Sequence, residues 1–322
     1  MTRQIEITTG ARLHFGLLSH APATGGQFGG AGLMIDSPRF RIIVQPDERD
    51  VVEGNEEARI RCQQFVSMYR QNCPAHCQPP QCRILIQESV PLHRGLGSGT
   101  QLGMAVARGL SLMAGDADAD EFVLARRANR GARSALGIHG FTQGGFLVDG
   151  GKRAGRDIGS LAAHAEFPPQ WRLLLVTPAG KVGLAGTAES DAFSHLPGMP
   201  LCVTGRLRRI ALMQLLPAVI NTDFDTFADA LFEFGRTVGE YFAPVQAGTY
   251  ANPEMRQLVE RLRNRGVQGV GQTSWGPTIF ALTPDDASAE RLEAEISADE
   301  QWSGCRFQIA APMNSGAVVT IR

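Results

Sequence analysis

The chain has 322 residues, enough for two domains with substantial cores. Lys and Arg number 31 against 32 Asp and Glu, a formal net charge of −1. The basic excess that general nucleic-acid or membrane-surface binding needs is therefore absent. Hydrophobic residues make up 43% and charged residues 20%, which excludes a disordered chain, and no apolar run approaches a membrane span. The start, Met1-Thr2-Arg3-Gln4-Ile5-Glu6, lacks the apolar core of a signal peptide, so a cytoplasmic enzyme is the expectation.

In chain order, Gln4 to Thr9 alternates as a strand does, and Ala11 to Leu17 continues toward a Gly-rich loop over Thr24 to Gly32. Leu33 to Asp36 and Phe40 to Pro46 read as strands, and Glu56 to Gln71 as a helix. Cys62, Cys73, Cys77 and Cys82 cluster around His76, but without the paired C-x-x-C of zinc sites they read as reduced thiols. A strand over Arg83 to Val90 leads into a Gly-rich loop, and a helix follows over Gln101 to Met113. Asp120 to Arg130 reads as a helix capped by Asp118 or Asp120. Gly137 to Gly145 reads as a second Gly-rich turn before a strand at Phe146 to Asp149. The Pro-containing stretch Phe167-Pro168-Pro169-Gln170 marks a boundary, giving domains 1–167 and 168–322. The second half opens with a strand, Trp171 to Thr177, and an irregular segment, Pro178 to Pro200. Helices over Arg206 to Ile220, Asp225 to Glu240 and Pro253 to Arg265 then precede a third Gly-rich turn, Gly266 to Gly276. Strands at Thr278 to Leu282, Cys305 to Ala310 and Ala317 to Ile321, with a helix at Ala287 to Ile296, complete the chain. Without a regular βαβ beat, the class is α+β.

The central loop is the most informative stretch. Pro91-Leu92-His93-Arg94-Gly95-Leu96-Gly97-Ser98-Gly99-Thr100-Gln101-Leu102-Gly103 joins a strand to a helix. Its glycines allow left-handed backbone and close approach to a ligand. The free N–H groups and positive dipole end of the new helix point into the loop. Ser98 and Thr100 add hydroxyls, and His93 and Arg94 add positive charge. Together these suit phosphate or pyrophosphate. The loop is neither a Walker A sequence nor a G-x-G-x-x-G fingerprint.

Ala11 to Gly16, Gly95 to Gly103 and Gly269 to Gly276, in this order, resemble the GHMP superfamily of small-molecule kinases. Arg12-Leu13-His14-Phe15-Gly16-Leu17 and the His93 to Gln101 loop look like the beta-ribofuranosylaminobenzene 5'-phosphate synthases within it. So do Phe141-x-x-Gly144-Gly145-Phe146-x-Val148-Asp149-Gly150-Gly151 and Gly271-Gln272-Thr273-Ser274-Trp275-Gly276-Pro277. The resemblance implies an N-terminal domain with a left-handed βαβ crossover and a ferredoxin-like C-terminal domain. It also implies a reaction: a hydroxy- or aminobenzoate is joined to phosphoribosyl pyrophosphate with release of CO2 and pyrophosphate, on the route to tetrahydromethanopterin. Small-molecule substrates, Mg²⁺, no organic cofactor and a homodimer are expected. An ATP-dependent small-molecule kinase is the alternative. Several such kinases carry a catalytic Asp in a Ser-Gly-Ile-Asp turn, and Leu136-Gly137-Ile138-His139 stands there instead, which counts against it. A catalytically silent binding protein on the same fold is a third reading.

The implied reaction assigns roles. Gly95, Gly97, Ser98, Gly99, Thr100 and Gln101 would stabilise the departing pyrophosphate. Arg12 and His14 would hold the benzoate carboxylate, since Arg binds carboxylates as a fork. His93, Arg94 and Lys181 would clamp the 5'-phosphate, and Lys181 and Glu189 suggest a lid. His139 or Gln143 would orient the ring substituent. Gln272, Thr273, Ser274 and Trp275 form the third loop, where Trp275 would stack on the ring or pack in the domain interface. The metal ligands are open. Asp36 and Glu189 are available, but nothing in their spacing selects them.

Overall fold

The computed structural model describes residues 4–21, 25–180, 183, 186–246 and 248–322. The two apolar runs at the start form one long strand, β1 (Ile5–Ser19), with irregularities at Thr9/Ala11 and His14/Gly16. It pairs antiparallel with β2 (Phe28–Pro46), and Gly29, Gly30 and Gly32 lie inside that strand rather than in a loop. Glycine suits these places because a Cβ at Gly32 would sit 2.4 Å from the Leu13 carbonyl oxygen across the pair.

A short strand, β3 (Val51–Glu53), helix α1 (Glu56–Asn72) and β4 (Cys82–Glu88) follow. Asn55 caps α1 by accepting from the Ala58 N–H. β3 and β4 are parallel, so α1 crosses over between them. Helix α2 (Ser98–Met113) leaves the central loop, and α3 (Glu121–Arg127) packs beside it. The expected second Gly-rich turn is instead a buried helix, α4 (Leu136–Gln143). Its glycines serve packing: a Cβ on Gly140 would meet the Met34 sulfur at 2.6 Å. β5 (Phe146–Asp149) joins the lower half of β2, and β6 (Leu161–Ala165) joins β5.

The chain crosses at 167–171 into β7 (Arg172–Pro178), then α5 (Gly186–His195). Helix α6 (Leu201–Ile210) runs through a π turn (Ala211–Leu215) into α7 (Leu216–Ile220). Helices α8 (Phe224–Gln246) and α9 (Pro253–Asn264), β8 (Val270–Gln272), β9 (Ile279–Thr283), α10 (Asp286–Ser297) and β10 (Cys305–Ala310) follow. The second sheet has the order β10-β7-β9-β8, all antiparallel, which is the ferredoxin-like arrangement. β11 (Val318–Ile321) then returns to pair with β1 on the edge of the first sheet.

The middle of β7, Leu173 to Val176, is apolar because both of its faces are covered. Leu174 and Val176 pack toward α9 and α10 with Met255, Leu258 and Ile296. Leu173 and Leu175 join the large core shared with the first sheet. The joint is aromatic: Phe227 of α8 meets Phe15, Phe146, Phe167 and Trp171, with centroids 5.2 to 6.5 Å apart. Phe227 is fully buried. Phe227→Ala should therefore lower stability by about 3–5 kcal/mol, read as a fall in the denaturant midpoint at unchanged slope.

Candidate active site

Three backbone segments meet around one hydroxyl. The Thr273 Oγ1 accepts from the N–H of His14 at 3.0 Å and donates to the carbonyl of Gly95 at 2.8 Å. Beside it, the Arg12 N–H donates to the Leu96 carbonyl at 2.9 Å and the Ser274 N–H to the His14 carbonyl at 3.0 Å. The Gly-rich segments that lie far apart in sequence are thus stitched into one wall.

The central loop fits only with its glycines. Gly95 has φ +82°, and a Cβ there would lie 2.2 Å from the Thr273 carbonyl oxygen. Gly97, at φ +70°, is the N-cap of α2, and its open side faces Arg12. Neither Ser98 nor Thr100 caps the helix, so the first N–H groups of α2 have no side-chain partner. These N–H groups and the helix dipole face the space between the loops. His93, Asn129 and Ser274 all hold positive φ, and all three line that space. Non-glycine strain is therefore gathered at this site.

The space is a cavity of about 650 Å³, with a cationic and an aromatic part. Arg12, Arg61, Arg130 and Arg133 line the first, and Glu57 is the one carboxylate among the described lining residues. Arg130 donates to the Thr100 hydroxyl at 3.2 and 3.3 Å, beside the N-terminus of α2. Phe193, Phe242 and Trp275 form the second part, edge to face at 4.5 to 5.8 Å. Arg133 lies over the Phe193 ring at 5.5 Å and links the two parts.

His14 is buried, and burial, with the Arg12 guanidinium as the lesser cause, holds its imidazole well below the ordinary value of 6.5. It is therefore a neutral ring at pH 7. The expectation that both Arg12 and His14 hold a carboxylate by charge is corrected: Arg12 carries the charge, and His14 offers a hydrogen bond.

Of the other expected residues, His93, Gly95, Gly97, Ser98, Gly99, Thr100, Gln272, Ser274 and Trp275 line the cavity. Thr273 lies behind it as the connector. Gln272 is occupied locally, accepting from the Ala251 N–H and donating to the Ser274 carbonyl. Gln101 does not face the cavity. It is buried, accepts from the Thr9 hydroxyl at 2.7 Å and donates to the Gly137 carbonyl at 2.8 Å. Arg94 turns away to the Pro178 carbonyl at 3.2 Å. His139 and Gln143 also lie outside the lining. The His139 ring is buried inside α4, with Nε2 3.0 Å from the Gly159 carbonyl and Nδ1 3.9 Å from Glu121. Asp36 is away from the site, accepting from the Ala311 N–H. Glu189 falls within α5, and Lys181 lies outside the described residues.

Sequence reasoning missed Arg61, Arg130 and Arg133, which come from a helix face and a helix–helix connection rather than from a Gly-rich loop. The spacing Arg130-Gly131-Ala132-Arg133-Ser134, just before an apolar helix, was the available signal. It also missed Asp149, which accepts from the Ala135 N–H at 2.7 Å and the Gly151 N–H at 2.8 Å. That buried carboxylate holds the Arg130–Ser134 connection in place, and its own desolvation pushes its pKa up. The cysteine cluster consists of free thiols, with burial pushing Cys82 up to about 12. No group of three or more His, Cys, Asp or Glu among the described residues could hold a metal. No described helix is long and apolar enough to cross a membrane.

Together, the split β/α first layer, the ferredoxin-like second layer and an anion-ready loop between them define a GHMP-type fold. The sequence model of the GHMP kinases N-terminal domain matches residues 62–146 and that of the C-terminal domain residues 215–300, together more than half of the chain. The chain belongs to the GHMP kinase family. It is 27% identical over 331 residues to the beta-ribofuranosylphenol 5'-phosphate synthase of Archaeoglobus fulgidus, covering 98% of this chain and 100% of that one. It is 25% identical over 308 residues to the protein of the same name from Methanothermobacter thermautotrophicus, covering 88% and 90%. Among solved structures, the mevalonate diphosphate decarboxylase of Enterococcus faecalis aligns over 100% of both chains with a TM-score of 0.65 and 17% identity, a likeness of fold.

Thr273→Val should strand the His14 N–H and the Gly95 carbonyl, at about 1–3 kcal/mol for each, seen as a lower melting midpoint and a loosened cavity. His14 sets a pH dependence. Its folded pKa lies below the unfolded one, so below about pH 6.5 the unfolded chain binds the extra proton and stability falls with pH. Chemical denaturation from pH 7 to pH 5 should show a smaller loss of stability in His14→Asn than in the wild type.

Proposed function

We propose that the chain is a decarboxylating phosphoribosyltransferase. It would join 4-hydroxybenzoate to phosphoribosyl pyrophosphate, giving a ribofuranosyl-phenol 5'-phosphate with release of CO2 and pyrophosphate. The observation that carries this reading is the two-part cavity, in which a cluster of cations abuts an aromatic wall. A sugar diphosphate and a benzoate need these two surfaces side by side. Full-length similarity to proteins named as beta-ribofuranosylphenol 5'-phosphate synthases favours this reading over the kinase that the central loop alone allows. It also supports 4-hydroxybenzoate over 4-aminobenzoate, on the tetrahydromethanopterin route that the resemblance implies.

The bond from C1 of the ribose to pyrophosphate breaks as negative charge builds on the leaving oxygens. The N–H groups at the start of α2, with Arg12 and Arg130 on either side, stabilise that charge. The ring lies against Trp275 and Phe242, with its carboxylate toward Arg12 and Arg133. The ring carbon bearing the carboxylate bonds to C1 of the ribose, and the carbon–carboxylate bond returns its electron pair to the ring as CO2 departs. Neutral His14 orients a polar group without adding a charge that would hold the carboxylate back from leaving. When bound, Mg²⁺ would offset the charge of the leaving pyrophosphate, and Glu57 and the Ser98 hydroxyl in the cavity lining are the groups that would hold it.

Purified protein with Mg²⁺, phosphoribosyl pyrophosphate and 4-hydroxybenzoate should release CO2 and pyrophosphate in equal amounts, faster than with 4-aminobenzoate. Arg12→Met should cut kcat/KM by about 10²-fold. Release of neither product with either benzoate would overturn the reading.

A further inference from the structure

Arg61 is a cation in search of an anion. It projects from α1 into the cavity, and its guanidinium lies 4.7 Å over the Phe65 ring. It donates to the Gln64 side chain at 2.6 Å, and no carboxylate pairs with it among the described residues. Arg41 and Arg83, as partly buried as Arg61, each have an acidic partner, whereas Arg61 has an amide. Burial is the sole cause of the lowering of its pKa. A partly buried guanidinium at a cavity wall, with no carboxylate partner among the described residues, is a binding group whose partner arrives with the ligand.

Its place in the fold says which ligand group it meets. Phe65 of α1 seats against Gly103 of α2, where a Cβ would come 2.9 Å from the ring. Further along both helices, the Tyr69 and Ser111 hydroxyls meet at 3.0 Å. The two helices therefore run in the same direction, so Arg61, one turn back from Phe65, lies toward the first turn of α2. Arg12 and Arg130 already flank that turn from the loop side and the α3–α4 side. Arg61 lines the α1 side of the cavity, with Gln64 beside it.

We infer that Arg61, with Gln64, forms a subsite for a phosphate monoester at the α1 side of the cavity, separate from the pyrophosphate site at Arg12, Arg130 and the N-terminus of α2. On the function proposed above, this subsite takes the 5'-phosphate of the ribosyl donor. That replaces His93, Arg94 and Lys181 as the expected clamp, of which Arg94 is engaged elsewhere. One guanidinium fork and one amide match a monoester, while pyrophosphate needs the larger donor set on the other side.

The test titrates ribose 5-phosphate and inorganic pyrophosphate separately, by calorimetry, into the wild type, Arg61→Gln and Arg61→Lys. In Arg61→Gln the Kd for ribose 5-phosphate should rise about tenfold or more, while that for pyrophosphate stays within about twofold. Arg61→Lys should recover part of the loss, because it keeps the charge without the fork. Melting midpoints near the wild-type value would show that the variants fold. Unchanged ribose 5-phosphate binding in Arg61→Gln, or an equal loss of both ligands, would overturn the subsite. Turnover assays separate this from the functional reading. A wild type that binds ribose 5-phosphate through Arg61 but releases neither CO2 nor pyrophosphate would keep the subsite and sink the transferase.

Discussion

The Thr273 hydroxyl is the one contact on which the site depends. It uses both its lone pair and its proton, one on the His14 N–H and the other on the Gly95 carbonyl. Those two groups belong to β1 and the central loop, while Thr273 belongs to the ferredoxin-like half. A serine could make the same bonds, but burial of the threonine methyl adds packing at a fully enclosed position. Because the contact joins the two layers, the relative position of Arg12, the N-terminus of α2 and Trp275 follows from it. Arrangement of the cavity is thus a consequence of tertiary closure, and no single Gly-rich loop carries it.

The charge of the cavity illustrates why a net value says little about a site. The chain is nearly neutral, yet four arginines converge on one space with a single described carboxylate among them. A polyanionic ligand bound there would stabilise the folded chain by mass action, so phosphate binding and folding are linked through the same residues. The aromatic wall plays the complementary part, since its edge-to-face trio is rigid and offers flat apolar area without added charge.

Much of this was legible in the chain. The alternation of β1, the loop from His93 to Gln101 and the sequence Gln272 to Trp275 pointed to the cavity because glycine placement and periodicity are local properties. Gln101 and His139 misled for a common reason: polar side chains next to a functional loop can face inward, where buried partners such as the Thr9 hydroxyl and the Gly159 carbonyl take them up. The α4 segment misled because its glycines answer to Met34 and Thr100 across a helix interface, not to a turn. Arg61 was hidden in an ordinary amphipathic helix, where its role depends on Phe65 meeting Gly103 in another element. Contacts between elements leave no local pattern to read.

The last strand has a consequence for how the molecule comes together. Gln4 and Arg322 exchange both backbone hydrogen bonds at 2.8 Å, so the edge of the first sheet is sealed by the far end of the chain. Residues 5–8 of β1 therefore keep one flank unpaired until β11 is in place. The ring so closed is a topological one: because these two strands lie side by side, a short link between them and a cut in a surface loop would retain the same sheet order.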